Sequence, residues 1–175
     1  PTDIPPDRLT AALAAALAEN EAAALLLPRG QLSENAYKAL ARAVVPLAQS
    51  RGTAVLVEGD PGLVRLLGAD GLHVRGGIKA VKEALAALKP DLIVGVGDIH
   101  SSDDAMRKGE LGVDYILFGP LSGSISPDER EMAQWWAETM EIPSVLSDPE
   151  ATGASYDAAG CEFIGLPLRL PETVK

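Results

Sequence analysis

The stretch that decides the predicted fold is a short apolar segment running into a turn, Val113-Asp-Tyr-Ile-Leu-Phe-Gly-Pro-Leu-Ser-Gly-Ser-Ile-Ser126. Its residues Tyr115–Phe118 predict a buried strand, and the glycines, proline and serines after them predict a loop. Hydroxyls and backbone N–H groups in such a loop suit a bound phosphate. An ordinary loop that ends a strand has the same composition, so both interpretations stay open.

Short apolar segments of this kind recur along the chain, and turn residues follow each of them. Strands are predicted at Ala54–Val57, Gly71–Val74, Leu92–Val96, Tyr115–Phe118, Ser144–Leu146 and Phe163–Leu166, with a further strand ending at Leu27. Helices are predicted between them, at Arg8–Asn20, Ser33–Gly52, Pro61–Leu67, Ala80–Leu88, Asp103–Leu111 and Glu129–Met140. Pro46 is expected to bend or end the second helix early. Strands that alternate with helices indicate a parallel sheet covered by its crossovers.

Seven predicted strands are one short of a closed (β/α)₈ barrel, and 175 residues are fewer than the roughly 250 typical of that fold. Because the chain begins with a helix, a first strand just before Pro1 would complete the count. An open doubly wound sheet is the competing fold, although no Gly-x-Gly-x-x-Gly turn follows the first strand. We predict a single compact barrel domain over residues 1–175, with its first strand missing from this sequence.

Composition excludes several classes of function. The formal charge of −10, from 25 acidic against 15 basic residues, opposes binding to nucleic acid. The single cysteine, Cys161, permits no internal disulfide, which favours the cytoplasm. The alanine-rich run Ala11–Ala18 is too short for a membrane span, so no membrane partner is predicted. Homo-oligomerisation is left open.

The barrel prediction directs attention to the loops that follow the strands, because active sites form at that face of the barrel. His73 ends a strand and suits acid/base catalysis, although a histidine bonded inside the barrel is the commoner arrangement. His100 is also a catalytic candidate, with a structural position at a helix start as the alternative. In the loop Ser122-Gly-Ser-Ile-Ser126, hydroxyls and N–H groups suit an oxyanion.

Three stretches in the middle of the chain, Gly68-Ala-Asp-Gly-Leu-His73, His100-Ser-Ser-Asp-Asp-Ala105 and Gly112-Val-Asp-Tyr-Ile-Leu-Phe-Gly-Pro120, resemble the thiamine phosphate synthase and TenI-like family. The resemblance implies a compact (β/α)₈ barrel. It also implies an activity: the family's synthases join a pyrimidine diphosphate to a thiazole phosphate with magnesium and expel pyrophosphate. Its TenI-like members tautomerise a thiazole with a histidine, whose position here is Pro120.

Several loops depart from the family's diphosphate and metal pattern. The Gln-x-Arg-x-Lys motif after the family's second strand matches Leu26, Pro28 and Gly30, with Arg29 one place away. The Asn-Asp pair after the third strand corresponds to Glu58-Gly59, and a second metal-binding Asp corresponds to Ile78. Magnesium is therefore expected only if synthase activity is retained. Glu58 and Asp60 remain candidate oxygen ligands for a bound molecule.

The later loops also lack residues that the family uses to bind phosphate. The resemblance matches Asp98 to a serine near the phosphate, and Ser124-Ile-Ser126-Pro127 to a Thr-x-Thr-Lys motif that here lacks its lysine. The glycine pair that cradles a phosphate corresponds to Asp148-Pro149. Losing one donor to a developing charge costs on the order of 3 kcal/mol, so several losses predict weak or absent synthase activity.

The sequence therefore predicts a divergent family member that binds a small phosphorylated or heterocyclic molecule, linked to thiamine metabolism. Two alternatives stay open, an active synthase with relocated ligands and a non-catalytic interaction or regulatory protein. The candidate catalytic residues are His73, Asp98 and His100. The candidate ligand-binding residues are Arg29, Glu58, Asp60, Gly119, Ser122, Gly123, Ser124 and Ser126.

Overall fold

The structure is a computed structural model that describes residues 6–19, 21–151 and 156–168. Within these residues the chain forms two compact units. The first unit holds the described residues up to Leu72 together with Leu168, and the second holds those of His73–Pro167. The division falls inside one strand, and each unit is described here by itself. None of the described helices is both long and apolar enough to cross a bilayer.

The first unit alternates helices with short parallel strands. Its elements are α1 (Pro6–Glu19), β1 (Ala24–Leu27), α2 (Glu34–Gln49), β2 (Ala54–Val57), α3 (Pro61–Leu67) and the first half of β3 (Gly71–Val74). Strand β1 pairs with β2 from Ala24 opposite Ala54 to Leu27 opposite Val57. The strands are short and apolar because both faces of a parallel sheet are covered by its crossovers.

Of the two expectations for Pro46, a bend or an early end of the second helix, helix α2 corrects the early end. The helix continues through Pro46 to Gln49, and the Pro46 carbonyl accepts a hydrogen bond from the Ser50 N–H at 3.0 Å. A proline inside a helix removes one backbone hydrogen bond at a cost of about 3 kcal/mol. The burial of Val44, Val45 and Ala48 offsets that cost, because these side chains form the face that packs on the unit's interior.

The second unit repeats the alternation. It contains the end of β3, α4 (Ile78–Leu88), β4 (Ile93–Val96), α5 (Ser102–Gly109), β5 (Tyr115–Phe118), α6 (Pro127–Thr139), β6 (Ser144–Ser147) and β7 (Phe163–Gly165). Parallel registers join β4 to β5, β5 to β6 and β6 to β7. Val94, Val96, Ile116 and Leu146 are fully buried. These strand residues form the core that holds the following loops in place.

The strands are ordered as they occur in sequence, from β1 to β7. Three predicted strands, Ala54–Val57, Gly71–Val74 and Tyr115–Phe118, have the same bounds in the structure, and the others differ by one or two residues. The predicted parallel alternation of strand and helix is therefore confirmed. Sequential order is what a β/α barrel requires, whereas a doubly wound sheet reverses its order at a switch point.

Candidate functional site

A cavity of about 200 Å³ lies in the second unit, where the loops after β3, β4 and β5 meet. It is smaller than the roughly 300–1,000 Å³ of typical ligand pockets, which limits it to a small molecule. Five predicted site residues line it, His73, Asp98, His100, Gly119 and Ser122. Arg75, Ile99, Leu117, Pro120, Leu121 and Glu129 complete the wall.

His73 lies at the base of this cavity and is 2% exposed. Its Nδ1 is 2.8 Å from the Tyr115 hydroxyl, and the two rings stack with centroids 5.8 Å apart. Burial lowers the pKa of His73 from 6.5 to about 4; the positive charge of Arg75 acts in the same direction and Asp98 opposes both. His73 is therefore neutral near pH 7, with one ring nitrogen a donor and the other an acceptor.

Two glycines of the β4 segment make room for this pair. A Cβ on Gly95 would lie 1.9 Å from the Tyr115 ring, the residue paired with it across β4 and β5. A Cβ on Gly97 would lie 2.6 Å from His73 Nε2. Both distances are far inside van der Waals contact, so the positions of the His73 and Tyr115 rings depend on glycine at 95 and 97.

Asp98 follows directly and has a left-handed backbone, with φ of +50°. Non-glycine residues adopt this conformation at a cost and often do so at functional sites. The carboxylate of Asp98 accepts hydrogen bonds from the Arg75 guanidinium, at 3.1 and 3.3 Å. The ion pair is nearly half exposed on each side, so it contributes little stability, but it determines which charges face the cavity.

Lys108 of α5 stabilises the turn that contains Asp98 through hydrogen bonds to the turn's backbone. Its Nζ donates to the carbonyl oxygens of Gly97 and Asp98, at 3.2 and 3.1 Å, and lies 3.0 Å from the Asp104 carboxylate. The Lys108 side chain is only 3% exposed. A buried ammonium needs such partners because desolvation is costly. Lys108 is thus committed to the backbone that positions Asp98.

His100 lies on the exposed edge of the cavity, two residues before helix α5. Its backbone N–H donates to Asp104 Oδ2 at 3.3 Å, and Ser101 rather than His100 caps the helix by accepting from the Asp104 N–H. The imidazole therefore lines the cavity, while its neighbour performs the capping that the sequence suggested for this region.

The serine loop, residues Ser122–Ser126, contacts carboxylates. Ser124 Oγ donates to Glu150, and Ser126 Oγ and N–H donate to Glu129 Oε2 at 2.7 and 2.8 Å. Ser126 and Glu129 form a capping box at the start of α6. Gly123 is exposed with φ of +85°. Of the five predicted binding residues between 119 and 126, only Gly119 and Ser122 line the cavity.

The remaining candidates, Arg29, Glu58 and Asp60, lie in the first unit after β1 and β2. Glu58 Oε2 accepts from the Arg29 N–H at 2.9 Å, so the backbone and not the guanidinium of Arg29 contacts it. The Glu58 N–H donates to the Tyr37 hydroxyl. Burial raises the pKa of that hydroxyl to about 12, and this hydrogen bond opposes the rise. Asp60 caps α3 by accepting from the Leu63 N–H. This bond accounts structurally for Asp60.

The residues present do not fit the magnesium ion that the family resemblance implies. Within the ranges that the structure describes, no three His, Cys, Asp or Glu side chains are grouped closely enough to hold a metal. Mg²⁺ needs few protein ligands when substrate phosphates supply the rest. At the cavity, however, the Asp98 carboxylate already contacts the Arg75 guanidinium, whose charge would repel a cation bound there. No catalytic step is therefore assigned to a metal.

Arg75 lies just after a predicted strand, where sequence reasoning expected the site, whereas Lys108, Tyr115 and Glu129 were not among its candidates. The i, i+4 spacing of Asp104 and Lys108 on α5 indicates an ion pair, but not its burial. Tyr115 was recognised as a strand residue only. Its contact with Gly95 needs the register of two strands that are distant in sequence.

Comparison with known proteins agrees with the resemblance. A family model described as Thiamine monophosphate synthase matches residues 1–147. A thiamine-phosphate synthase from Hyphomonas neptunium is 34% identical over 145 residues, which make up 78% of this chain and 65% of that protein. Another, from Rhodospirillum centenum, is 33% identical over 150 residues, 83% of this chain and 72% of its own length. This chain thus spans less than two thirds of the first relative.

A solved structure shows the fold more directly. Thiamine phosphate pyrophosphorylase from Pyrococcus furiosus superposes with a TM-score of 0.68, at 16% identity, over 94% of this chain and 80% of that one. Together with seven parallel strands in sequential order, this likeness confirms the predicted TIM-barrel-like fold.

Proposed function

The chain belongs to the thiamine monophosphate synthase family, and on that premise we propose that it is a divergent member with weak or lost synthase activity. It binds a small phosphorylated or heterocyclic ligand in the cavity formed by the loops after β3, β4 and β5. Its role is linked to the chemistry of thiamine precursors, which are the molecules that its relatives act on.

The observation that carries this proposal is the pairing of the cations near the cavity. Arg75 is paired with Asp98, and Lys108 is paired with Asp104 and bonded to two carbonyls. Expulsion of pyrophosphate requires positively charged or N–H groups beside the leaving group, to stabilise its developing negative charge. A donor lost from such a site costs on the order of 3 kcal/mol, or at least a hundredfold in rate. Carboxylates beside the remaining cations increase that loss.

The cavity itself supports binding. Ile99, Leu117 and Leu121 supply apolar walls, and Asp98 and Ser122 supply polar groups at the edge. Polar groups of this kind orient the ligand in small-molecule sites. His73 is neutral and buried, with its Nδ1 bonded to the Tyr115 hydroxyl, so it adds an uncharged ring to the lining of the cavity.

Incubation with hydroxymethylpyrimidine diphosphate, thiazole phosphate and Mg²⁺ tests the catalytic half of the proposal. The synthase from Rhodospirillum centenum, assayed at equal concentration, is the reference. We expect product formation at less than about one hundredth of the reference rate, from the loss of at least one donor. A rate within tenfold of the reference would establish an active synthase with relocated ligands and overturn the proposal.

Thermal unfolding with the same precursors and with their unphosphorylated forms tests the binding half. A ligand present at 100 times its dissociation constant adds about 2.7 kcal/mol to the free energy of unfolding, which is readily measured. If none of these molecules raises the unfolding temperature, the interaction or regulatory alternative replaces the binding proposal. A cytoplasmic location stays a prediction, supported by the single cysteine, Cys161, which is buried as a free thiol.

A further inference from the structure

Resting on the proposed function, we propose that the cavity selects an unphosphorylated heterocycle, uncharged or cationic and carrying an amine or hydroxyl donor, over the phosphate ester of the same ring. The relatives are thiamine-phosphate synthases. The charges and hydrogen bonds around this cavity are instead arranged for a donor group.

The charged side chains that line the cavity carry an excess of negative charge. Arg75 contributes one positive charge, and Asp98 and Glu129 contribute two negative charges, which leaves one negative charge in excess. The guanidinium of Arg75 already donates twice to Asp98. A phosphate monoester carries up to two negative charges near pH 7, so it would meet net repulsion at this wall.

Two of the serine hydroxyls that suggested a phosphate site, those of Ser124 and Ser126, donate to carboxylates. Ser124 donates to Glu150, and Ser126 donates to Glu129 through both its hydroxyl and its N–H. To bind a phosphate, each serine would have to leave a carboxylate and hold a second anion beside it. Pro120 in the same wall has no N–H to donate. Of the three serine hydroxyls in the loop, two therefore face carboxylates, and Ser122 is the one that lines the cavity.

The same groups suit a small ring with a hydrogen-bond donor. The Asp98 carboxylate, 40% exposed at the cavity edge, can accept a charge-assisted bond from an amine or hydroxyl. Ile99, Leu117 and Leu121 cover the faces of a ring. A volume of about 200 Å³ suits one small ring better than two joined rings with a phosphate tail.

Calorimetric titration with two matched pairs of probes tests the selection. The pairs are hydroxymethylpyrimidine with its diphosphate, and the hydroxyethyl thiazole with its phosphate. We expect at least one unphosphorylated probe to bind at least tenfold more tightly than its phosphorylated partner. The ratio of the two affinities should fall with added salt, because salt screens the repulsion of the phosphate. Tighter binding of the phosphorylated member in both pairs overturns this inference and leaves the proposed function standing. No binding by any of the four probes overturns both.

Substitution of Asp98 by Asn tests whether the Asp98 carboxylate causes the preference for the unphosphorylated probe. Asparagine tolerates a left-handed backbone, so D98N retains the turn, and it removes the negative charge that faces Arg75. We expect D98N to lower the preference for the unphosphorylated probe at least tenfold. The control D91N removes one exposed acid from the same unit outside the cavity, and its preference should match that of the unchanged protein. Equal preferences in D98N and D91N would show that Asp98 does not select the ligand.

Discussion

The buried pair of His73 and Tyr115 differs sharply from the exposed serine loop, although both lie in the same unit. The Tyr115 and His73 rings pack closely against Gly95 and Gly97, and no space remains there for a side-chain atom. The serine loop is held by hydrogen bonds to Glu129 and Glu150 in contact with solvent. A substitution at the buried pair should lower the free energy of unfolding substantially, because close packing transmits the change. A substitution in the exposed serine loop should lower it little.

This difference explains how a chain can retain a family's fold and depart from its chemistry. The contacts that set the strands depend on shape, and close-packed contacts tolerate few substitutions. The loops at the ends of the strands depend on charge, and water screens many of their substitutions. Loops can therefore acquire acids such as Asp98 without loss of the strands beneath them.

The largest expected effect is the substitution of Gly95 by Ala, which would break the packing of the buried pair. The new Cβ would lie 1.9 Å from the Tyr115 ring. Overpacking of this kind costs about 3 kcal/mol, and loss of the hydrogen bond to His73 adds about 1 kcal/mol, so urea unfolding should show a loss of about 4 kcal/mol.

Two controls sharpen the Gly95 test. G77A places a Cβ where nothing lies within 4 Å and should cost less than about 1 kcal/mol. Combining G95A with Y115A should cost less than the sum of the single changes, because the clashing ring is gone. Strict additivity would show that the ring contact is not the cause.

A pH series probes the same pair through His73. Its folded pKa of about 4 is below the unfolded value of 6.5, so the unfolded state binds the proton more readily. The stability contributed by the neutral ring is complete above pH 6.5 and is lost as pH falls toward 4. By pH 4 the loss reaches about 3 kcal/mol.

Two histidine variants isolate this loss from the titration of carboxylates. H73Q should lose about 3 kcal/mol less than the unchanged protein between pH 7 and pH 4, measured by urea unfolding at each pH. H100Q, at the exposed histidine, is the control for a histidine-to-glutamine change outside the buried pair. If the free energies of unfolding of H73Q and of the unchanged protein fall in parallel with pH, His73 is not held neutral by burial.

Lys108 connects the two regions, since it is buried yet holds the turn that presents Asp98. K108M leaves Asp104 and two carbonyl oxygens without their ammonium partner, and we expect a loss of about 2 kcal/mol. K79M, at an ammonium that is 92% exposed, should change stability by less than about 0.5 kcal/mol. Equal effects of the two substitutions would contradict a structural role for the burial of Lys108.

The smallest effects are expected in the serine loop. S126A removes the capping box of α6 and should cost about 1 kcal/mol. S124A removes one exposed bond to Glu150 and should cost less than about 0.5 kcal/mol. Thermal unfolding of the two variants ranks them. A larger loss in S124A than in S126A would reverse the assignment of structural roles within the loop.

The strands were predictable because their information is local. Apolar runs such as Tyr115–Phe118 end at glycine or proline, and these residues stop a strand whatever surrounds it. The continuation of α2 through Pro46 was harder to predict, since local propensity favours a bend or an early end there and the burial of Val44, Val45 and Ala48 offsets that propensity. Local rules fail where tertiary packing supplies the larger free energy.

The site was predicted in part, for the same reason. The prediction named His73, Asp98, His100, Gly119 and Ser122 because parallel strands deliver their following loops to one edge, and these residues line one cavity. Their roles as catalytic or binding residues stay predictions. The hydrogen bonds from Ser124 and Ser126 to Glu150 and Glu129 were not predictable, because hydrogen-bond partners depend on side-chain directions.

By itself, the sequence determined the alternation of strands and helices, the family and the excess of acid, because all three follow from residue type and order. Only the tertiary structure decided that Arg75 and Lys108 are paired with carboxylates, that His73 is neutral, and that glycines at 95 and 97 make this possible. These features depend on which atoms meet across distant segments, and the free energy of a charge depends on its neighbours and its distance from water.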